Sequence, residues 1–510
     1  LVSGTSYAYD SFGRVLSTTD SRTGTTTIGS YLENGTPTRT TDPGGRVTTL
    51  AYDVMGRQVS VDLPDALDAN GTVLTNVTRS SHYQTGQLKA TWGGQATPTL
   101  RLYDEQGRLT ELRTYPDLAS GAEPTEATPG HQSTRWIYDN LTGNLLQKLD
   151  HQGKGPTYGY TPGDKLQSRT WARGASTTYA YQAGLLSSVL HGDQGETPGL
   201  AYAYDDLGRV STVTQGGNQW TYAYDPVHHG LTTETITYAN GFTRQIAHSY
   251  DALHRHSAYS LRNGPLTENT ASYQRDALGR LSTLASGADG FQYDYLDQAP
   301  YLVEQVSGPA HHVQNAYDAT RDHLLEKHNL SLANQSISRF SYSVNALGQR
   351  TSLTTSGSAF GANAGRTDWG YDELGQLVRA DHNTSDQNDR AYHYDKLGNR
   401  IHATDDQGTT QYQTNELNQY LSAGATNYQY DDDGNLVSDG LRTYRWNANN
   451  RLIEVKLGTV SLATYAYDHQ GRRISKSTPQ GTTQFVYDGW LLLAEYQDNS
   501  LKNSYLWGLD

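Results

Sequence analysis

The 510-residue sequence predicts an all-β fold of tandem antiparallel hairpins, one continuous array over residues 1–510. Three observations point there: a Tyr-Asp-x-x-Gly-Arg motif that recurs along the chain, aromatic residues alternating just ahead of it, and a composition too poor in apolar residues for one large core. In strict form the motif reads Tyr9-Asp10…Gly13-Arg14, Tyr52-Asp53…Gly56-Arg57, Tyr103-Asp104…Gly107-Arg108, Tyr204-Asp205…Gly208-Arg209 and Tyr467-Asp468…Gly471-Arg472. Relaxed copies fall between them: Asp276…Gly279-Arg280, Asn345…Gly348-Gln349, Asp372…Gly375-Gln376, Asp395…Gly398-Asn399 and Asp431…Gly434-Asn435. In the second half the successive Asp or Asn positions lie 16 to 27 residues apart, a spacing of repeat arrays.

Each element of the unit has a local cause. Pairs such as Tyr7/Tyr9, Tyr202/Tyr204, Tyr222/Tyr224, Tyr392/Tyr394 and Tyr465/Tyr467 put two rings on one face of a strand, because side chains two apart point the same way. Trp136, Phe291, Trp369 and Phe485 take the place of the first Tyr elsewhere, so an aromatic ladder with half-buried rings is expected to stack from strand to strand. Asp opens the turn by accepting from a backbone N–H two residues on, Gly supplies a positive φ, and Arg-Val or Arg-Leu starts the return strand. Where Gly is absent, His228, His254, Asn418 and Asn450 stand in its slot, residue types that tolerate left-handed geometry. Longer departures around 61–81, 116–133, 323–338 and 356–366 are expected to be enlarged hairpin loops, since the repeat resumes beyond each.

Composition sets the thickness of the sheet. The hydrophobic fraction is 35%; with Gly added and Tyr removed it is roughly 37–38%, below the usual 45–50%. Charged residues at 18% and only 15 Pro do not describe a disordered chain. With 38 Tyr to 6 Phe, the preferred ring carries one apolar body and one wet hydroxyl, which suits a wall with water on both sides. Cysteine is absent, which excludes disulfides, thiolate nucleophiles and Cys-ligated metal. A formal charge of −14 argues against general affinity for nucleic acid. No apolar run approaches the length of a membrane helix. Met55 is the single Met and the chain starts at Leu1, so a piece of a longer protein is expected.

Catalytic patterns are weak. Gly153-Lys154-Gly155 lacks the rest of a phosphate loop, and Gly357-Ser358-Ala359-Phe360-Gly361 misplaces Ser for a nucleophile elbow. His254/His256 share a strand face only if both lie in a strand, adjacent His311 and His312 would face apart, and Asp431-Asp432-Asp433-Gly434 lacks the spaced ligands of a calcium loop. No catalytic residue, cofactor or metal ligand is assigned, and no separate catalytic domain is expected.

The Tyr-x-Tyr-Asp-x-x-Gly-Arg-Leu/Val unit at about twenty-residue spacing resembles the YD-repeat, or Rhs-repeat, family, from Tyr7 to Trp507. That resemblance implies a long sheet of hairpins spiralling into a hollow shell or cocoon, as in Rhs polymorphic toxins, Tc toxin cocoon subunits and teneurins. Roughly 22 hairpins at ~4.8 Å per strand make a ribbon on the order of 200 Å, little more than one turn of such a shell, so a partial shell is expected. The Asp-Pro-x-Gly-Leu signature of bacterial members is absent; Asp42-Pro43 and Asp225-Pro226 sit in repeat turns. Self-cleavage is therefore not carried over.

Two functions follow from the resemblance. One is a secreted or surface-exposed shell enclosing a toxin or other polypeptide cargo, or completed by the remaining chain of the same protein. The other is an extracellular adhesion protein that contacts cell-surface glycans or another cell.

Overall fold

The computed structural model describes residues 4–68, 71–74, 76–119, 121–383 and 389–509. Among the described residues the chain folds into forty-six strands and one short 3-10 helix, Gly361–Asn363. The strands pair antiparallel with their sequence neighbours, hairpin after hairpin. In the first hairpin, Thr5–Tyr9 pairs with Val15–Asp20, and the register slips between Ala8 and Tyr9 so that Tyr9 faces Val15. The same slip recurs beside Tyr204, Tyr224, Tyr394 and Tyr467. It is a β-bulge adjoining the turn, which adds twist at each motif.

The turn forms as its residues dictate. Asp10 N–H donates to the Arg14 carbonyl at 2.8 Å and Gly13 N–H donates to the Asp10 carbonyl at 3.0 Å. Gly13, Gly56, Gly107, Gly208, Gly279, Gly375, Gly398, Gly434 and Gly471 have φ between 76° and 89°, the left-handed region that a Cβ disfavours. His254, Asn418 and Asn450 adopt φ of 59°, 61° and 55°. One assignment needs correction: after Asp225 the left-handed residue is His229 (φ 63°), not His228. That turn is one residue longer, with Asp225 N–H bonded to the Gly230 carbonyl at 2.8 Å.

Residues 63–66, 116–119, 121–131 and 357–360 lie outside the named strands, within three of the segments expected as loops; positions 69, 70, 75 and 120 of those segments lie outside the described residues. The fourth segment, 323–338, is not an enlarged loop. It holds strand Leu324–Ser331 and the start of Ser336–Val344. Ser331 replaces the motif Asp, its hydroxyl accepting from Gln335 N–H at 3.1 Å, and Asn334 replaces Gly at φ 58°. A tight turn built from Ser and Asn escapes a search for Asp and Gly.

Where the uniform rhythm predicts one array, the chain divides into two compact units, each made of two distant stretches: Leu1–Arg135 with Tyr293–Ala425, and Trp136–Gln292 with Thr426–Asp510. In the first unit a small core gathers Ala90, Trp92, Leu100 and Tyr115. Elsewhere in it strands such as Val15–Asp20 and Leu109–Thr114 bury no residue fully.

The second unit is drier. Trp220, Ile236, Phe242, Ile246, Leu261 and Tyr496 are essentially inaccessible. Here the later stretch packs on the earlier one, with Tyr238 hydroxyl donating to the Phe485 carbonyl at 2.8 Å and Trp171 Nε1 to the Ala448 carbonyl at 2.8 Å. A wall wetted on both faces thus describes the thin strands and not this double layer.

Candidate functional site

The motif residues converge on one structure, the junction between successive repeats. Asp10 Oδ1 accepts from Phe12 and Arg14 N–H, each at 2.9 Å, and Arg14 Nε donates to Asp10 Oδ2 at 2.7 Å. The same carboxylate–guanidinium clasp holds Asp53 with Arg57, Asp104 with Arg108, Asp205 with Arg209 and Asp468 with Arg472, at 2.6–2.7 Å. In relaxed copies an amide does the same, as Gln376 Nε2 to Asp372 and Asn399 Nδ2 to Asp395, both at 2.8 Å. Asn345 with Gln349 and Asn415 with Gln419 reverse the donor and acceptor at 2.7 and 2.8 Å. The Arg therefore closes the turn as well as starting the return strand. The Arg255 side chain, then its backbone N–H, holds the Asp251 carboxyl down to about 2.

The second half of the junction comes from the following repeat. Tyr204 hydroxyl donates to the Leu186 carbonyl at 2.7 Å, Tyr224 to Val210 at 2.9 Å, and Tyr467 to Leu452 at 2.8 Å. Tyr103 reaches Leu88 at 3.1 Å. Trp446 and Trp507 make the same bond through Nε1, to the carbonyls of Leu436 (2.8 Å) and Leu492 (2.7 Å). In the Tyr224 and Tyr467 junctions the acceptor is the residue after the preceding repeat's Arg. Such carbonyls lie beside a bulge, where the ladder is disrupted. Tyr9 is 57% exposed, and neither Tyr9 nor Tyr52 has such a bond among the described residues.

Rings do not stack continuously on rings, as the ladder predicts. Cations lie over them instead: Arg14 over Tyr31 at 4.7 Å, Lys165 over Tyr181 at 5.0 Å, Arg209 over Tyr224 at 4.2 Å and Arg472 over Tyr487 at 5.4 Å. A guanidinium also covers the next turn, where a Cβ on Gly279 would lie 3.1 Å from Arg255 Nη1. The sequence signals were the Tyr excess over Phe and the Arg fixed behind Gly. Nothing local joins Arg to a ring one repeat away.

Beneath the second unit lies a buried polar group. Arg472 bonds Asp468 at 2.6 Å and stands 4.0 Å from Glu234, all three nearly inaccessible. One cation serves two carboxylates, and Glu234 Oε1 has no hydrogen-bond partner among the described residues. Burial pushes the Glu234 carboxyl up to about 7, aided by Asp488 and Asp468 and opposed by Arg472.

Close by, His248 Nδ1 lies 3.2 Å from His256 Nε2 and 4.0 Å from Asp488 Oδ2. These three are a set close enough to share an ion. Burial lowers the pKa of both imidazoles, against the nearby Asp488 carboxylate. His254 and His256 do not act together: His254 sits in its turn with its ring 3.9 Å from that of His228, while His256 meets His248.

Residues 305–491 match the Teneurin YD-shell family model and residues 31–67 the RHS Repeat model. No curated protein matches the sequence. Among solved structures, the chain resembles TcdB2-TccC3-Cdc42 with a TM-score of 0.64 at 14% identity, covering 98% of this chain and 30% of that one. The Photorhabdus luminescens Tc holotoxin pore gives 0.64 at 15% identity, with the same 98% and 30% coverage. TcdB2-TccC3 without its hypervariable C-terminal region gives the same values. At these identities the likeness is one of fold, a large antiparallel sheet of repeated hairpins, and the chain spans about 30% of the length of the chains it matches. With the Asp–Arg clasp and the Tyr bond to the preceding repeat recurring on that fold, residues 31–67 and 305–491 are those that match the YD-repeat, or RHS-repeat, family models.

Proposed function

We propose that the chain is a wall segment of an encapsulating shell, in a secreted or surface-exposed bacterial protein, and that the shell encloses a polypeptide cargo. The observation that carries this is the half-wet sheet: strands such as Val15–Asp20, Leu109–Thr114 and Leu145–Leu149 bury no side chain fully, yet each follows a turn held by its Asp carboxylate, at Asp10, Asp104 and Asp139. A ribbon held by its edges needs no thick core and can border water on both faces. The fold likeness to TcdB2-TccC3 over nearly the whole chain supports the reading.

The test is protease protection of the natural full-length polypeptide. A fragment outside the repeats should resist digestion while the repeat segment is folded and become sensitive once it is denatured. Equal cleavage rates in the two states would overturn enclosure.

The teneurin model over 305–491 favours a second reading, an adhesive surface contacting glycans or another cell. Exposed rings such as Tyr301 and Trp490 suit it. Saturable binding of the folded chain to a glycan array, lost in a Trp490→Ala variant, would select that reading.

A further inference from the structure

We propose that His248, His256 and Asp488 form a zinc-class divalent metal site that staples the later stretch of the second unit onto its earlier hairpin. The three ligands come from strands Thr243–Tyr250, His256–Asn263 and Gly481–Asp488. The first two are paired, with Tyr250 opposite His256 across the bulge; the third belongs to the nine-stranded sheet built from the end of the chain. Two imidazoles and one carboxylate are the donor set of a borderline ion such as Zn2+.

The spacing fits. Two nitrogens each about 2.0–2.1 Å from a tetrahedral ion stand ~3.3 Å apart, and His248 Nδ1 and His256 Nε2 are 3.2 Å apart. The Asp488 oxygen, 4.0 Å from His248 Nδ1, needs to approach by under an ångström, roughly, to complete the third corner. A fourth position is left for water, as in open three-ligand sites. The His248 side chain is 4% exposed, and its Nε2 has no hydrogen-bond partner among the described residues, so the ring is oriented by the Nδ1 side of the cluster. A cleft of about 490 Å³, lined by His248 together with His228, Tyr250 and His254, borders the cluster on its His248 side.

Without metal the short contact is an imidazole–imidazole hydrogen bond. On binding, the N–H proton between the rings moves by exchange with solvent to the far nitrogen of the same ring, so both imidazoles stay neutral, and two N–metal bonds and one O–metal bond replace the hydrogen bond. The set is not legible in the sequence, because Asp488 reads as one more of the regularly spaced repeat Asp positions, remote from either histidine. Stapling stabilises the unit in proportion to occupancy, since the ion binds the folded chain in preference to the unfolded one.

The test uses the full chain, stripped with a chelator and titrated with Zn2+ alone against a chromophoric competitor. One equivalent should bind, and Co2+ in its place should give the visible absorption of a tetrahedral ion. The melting midpoint should rise with Zn2+ and fall back with EDTA. His256→Gln or Asp488→Asn should weaken binding about tenfold or more, while the paired variant His228→Ala with His254→Ala should bind as the parent does. Failure of the folded parent to take up Zn2+ against the competitor would overturn the proposal. So would uptake unchanged in His256→Gln and Asp488→Asn, or lost through His228 and His254 instead. Should His256→Gln fail to fold, the partly exposed Asp488→Asn and the parent's Co2+ spectrum still decide.

Discussion

Replacing Tyr204 by Phe isolates the bond that joins one repeat to the next. The ring stays, so no cavity opens, and only the hydroxyl bond to the Leu186 carbonyl at 2.7 Å is lost. A net contribution of about 1 kcal/mol is typical of such a bond, against 1–3 when the abandoned partner is sealed from water. Tyr204 is only half-buried, so water reaches the carbonyl and the lower figure applies.

Tyr202 is the internal control. It shares the strand and face of Tyr204, yet its hydroxyl makes no hydrogen bond among the described residues, so Tyr202→Phe should change stability by under about 0.5 kcal/mol. Native-state hydrogen exchange is the assay. Amides of Leu185–His191 and Leu200–Gln215 should exchange about fivefold faster in Tyr204→Phe and unchanged in Tyr202→Phe. Equal effects of the two variants, or acceleration spread evenly along the chain, would refute the directional junction and the locality expected of a repeat array.

Three further outcomes follow from other features. Trp220, wholly buried with its ring 4.9 Å from His469 and 6.3 Å from Tyr238, should cost about 3–5 kcal/mol on change to Ala, with exchange rising in residues 218–261 and 481–496. Gly93→Ala should cost about 3 kcal/mol in denaturant melts, because φ is 133° and a Cβ would strike the Val77 carbonyl; Gly208→Asn, whose Cβ would meet only Leu185 Cδ1 at 3.8 Å, should be nearly neutral.

The last outcome concerns pH. Glu234 titrates near 7 when folded against 4.5 unfolded, so its stabilising contribution is complete below the unfolded value and is lost as pH rises through the folded one. Melting midpoints should therefore decline across that window in the parent, and Glu234→Gln should remove that part of the decline. A parallel decline in both proteins would show that Glu234 is not its source.

What the sequence reveals and what it hides divide along the range of the interactions. Asp10, Gly13 and Arg14 lie within one turn, so backbone sterics and an Asx bond announce the hairpin, and even the substitutes Asn418 and Asn450 obey the same φ rule. The turn at Asn334 was missed because Ser331 and Asn334 perform the roles by a different chemistry. His229 was displaced by one because the Asp225 turn is one residue longer. The Tyr–carbonyl bond spans about one repeat, and only the abundance of hydroxylated rings hinted at it. Trp220 with His469, or His248 with Asp488, meet across hundreds of residues, and no period in the chain encodes such a meeting.

The junction also determines where this kind of chain can be cut and rejoined. Tyr224 binds backbone supplied by the repeat before it, and Arg209 from that earlier repeat shelters the ring of Tyr224. A hairpin lifted out between its own turns therefore carries half of two different junctions, whereas a segment running from one motif Asp to the Tyr ahead of the next turn, such as Asp205 to Tyr224, carries one intact. Recombination in units of that phase lengthens or shortens the ribbon while leaving every surviving seam complete, and breakpoints out of phase strand a guanidinium at one end and an unsatisfied carbonyl at the other. The heritable module of the array is thus offset by half a repeat from the hairpin that the eye picks out.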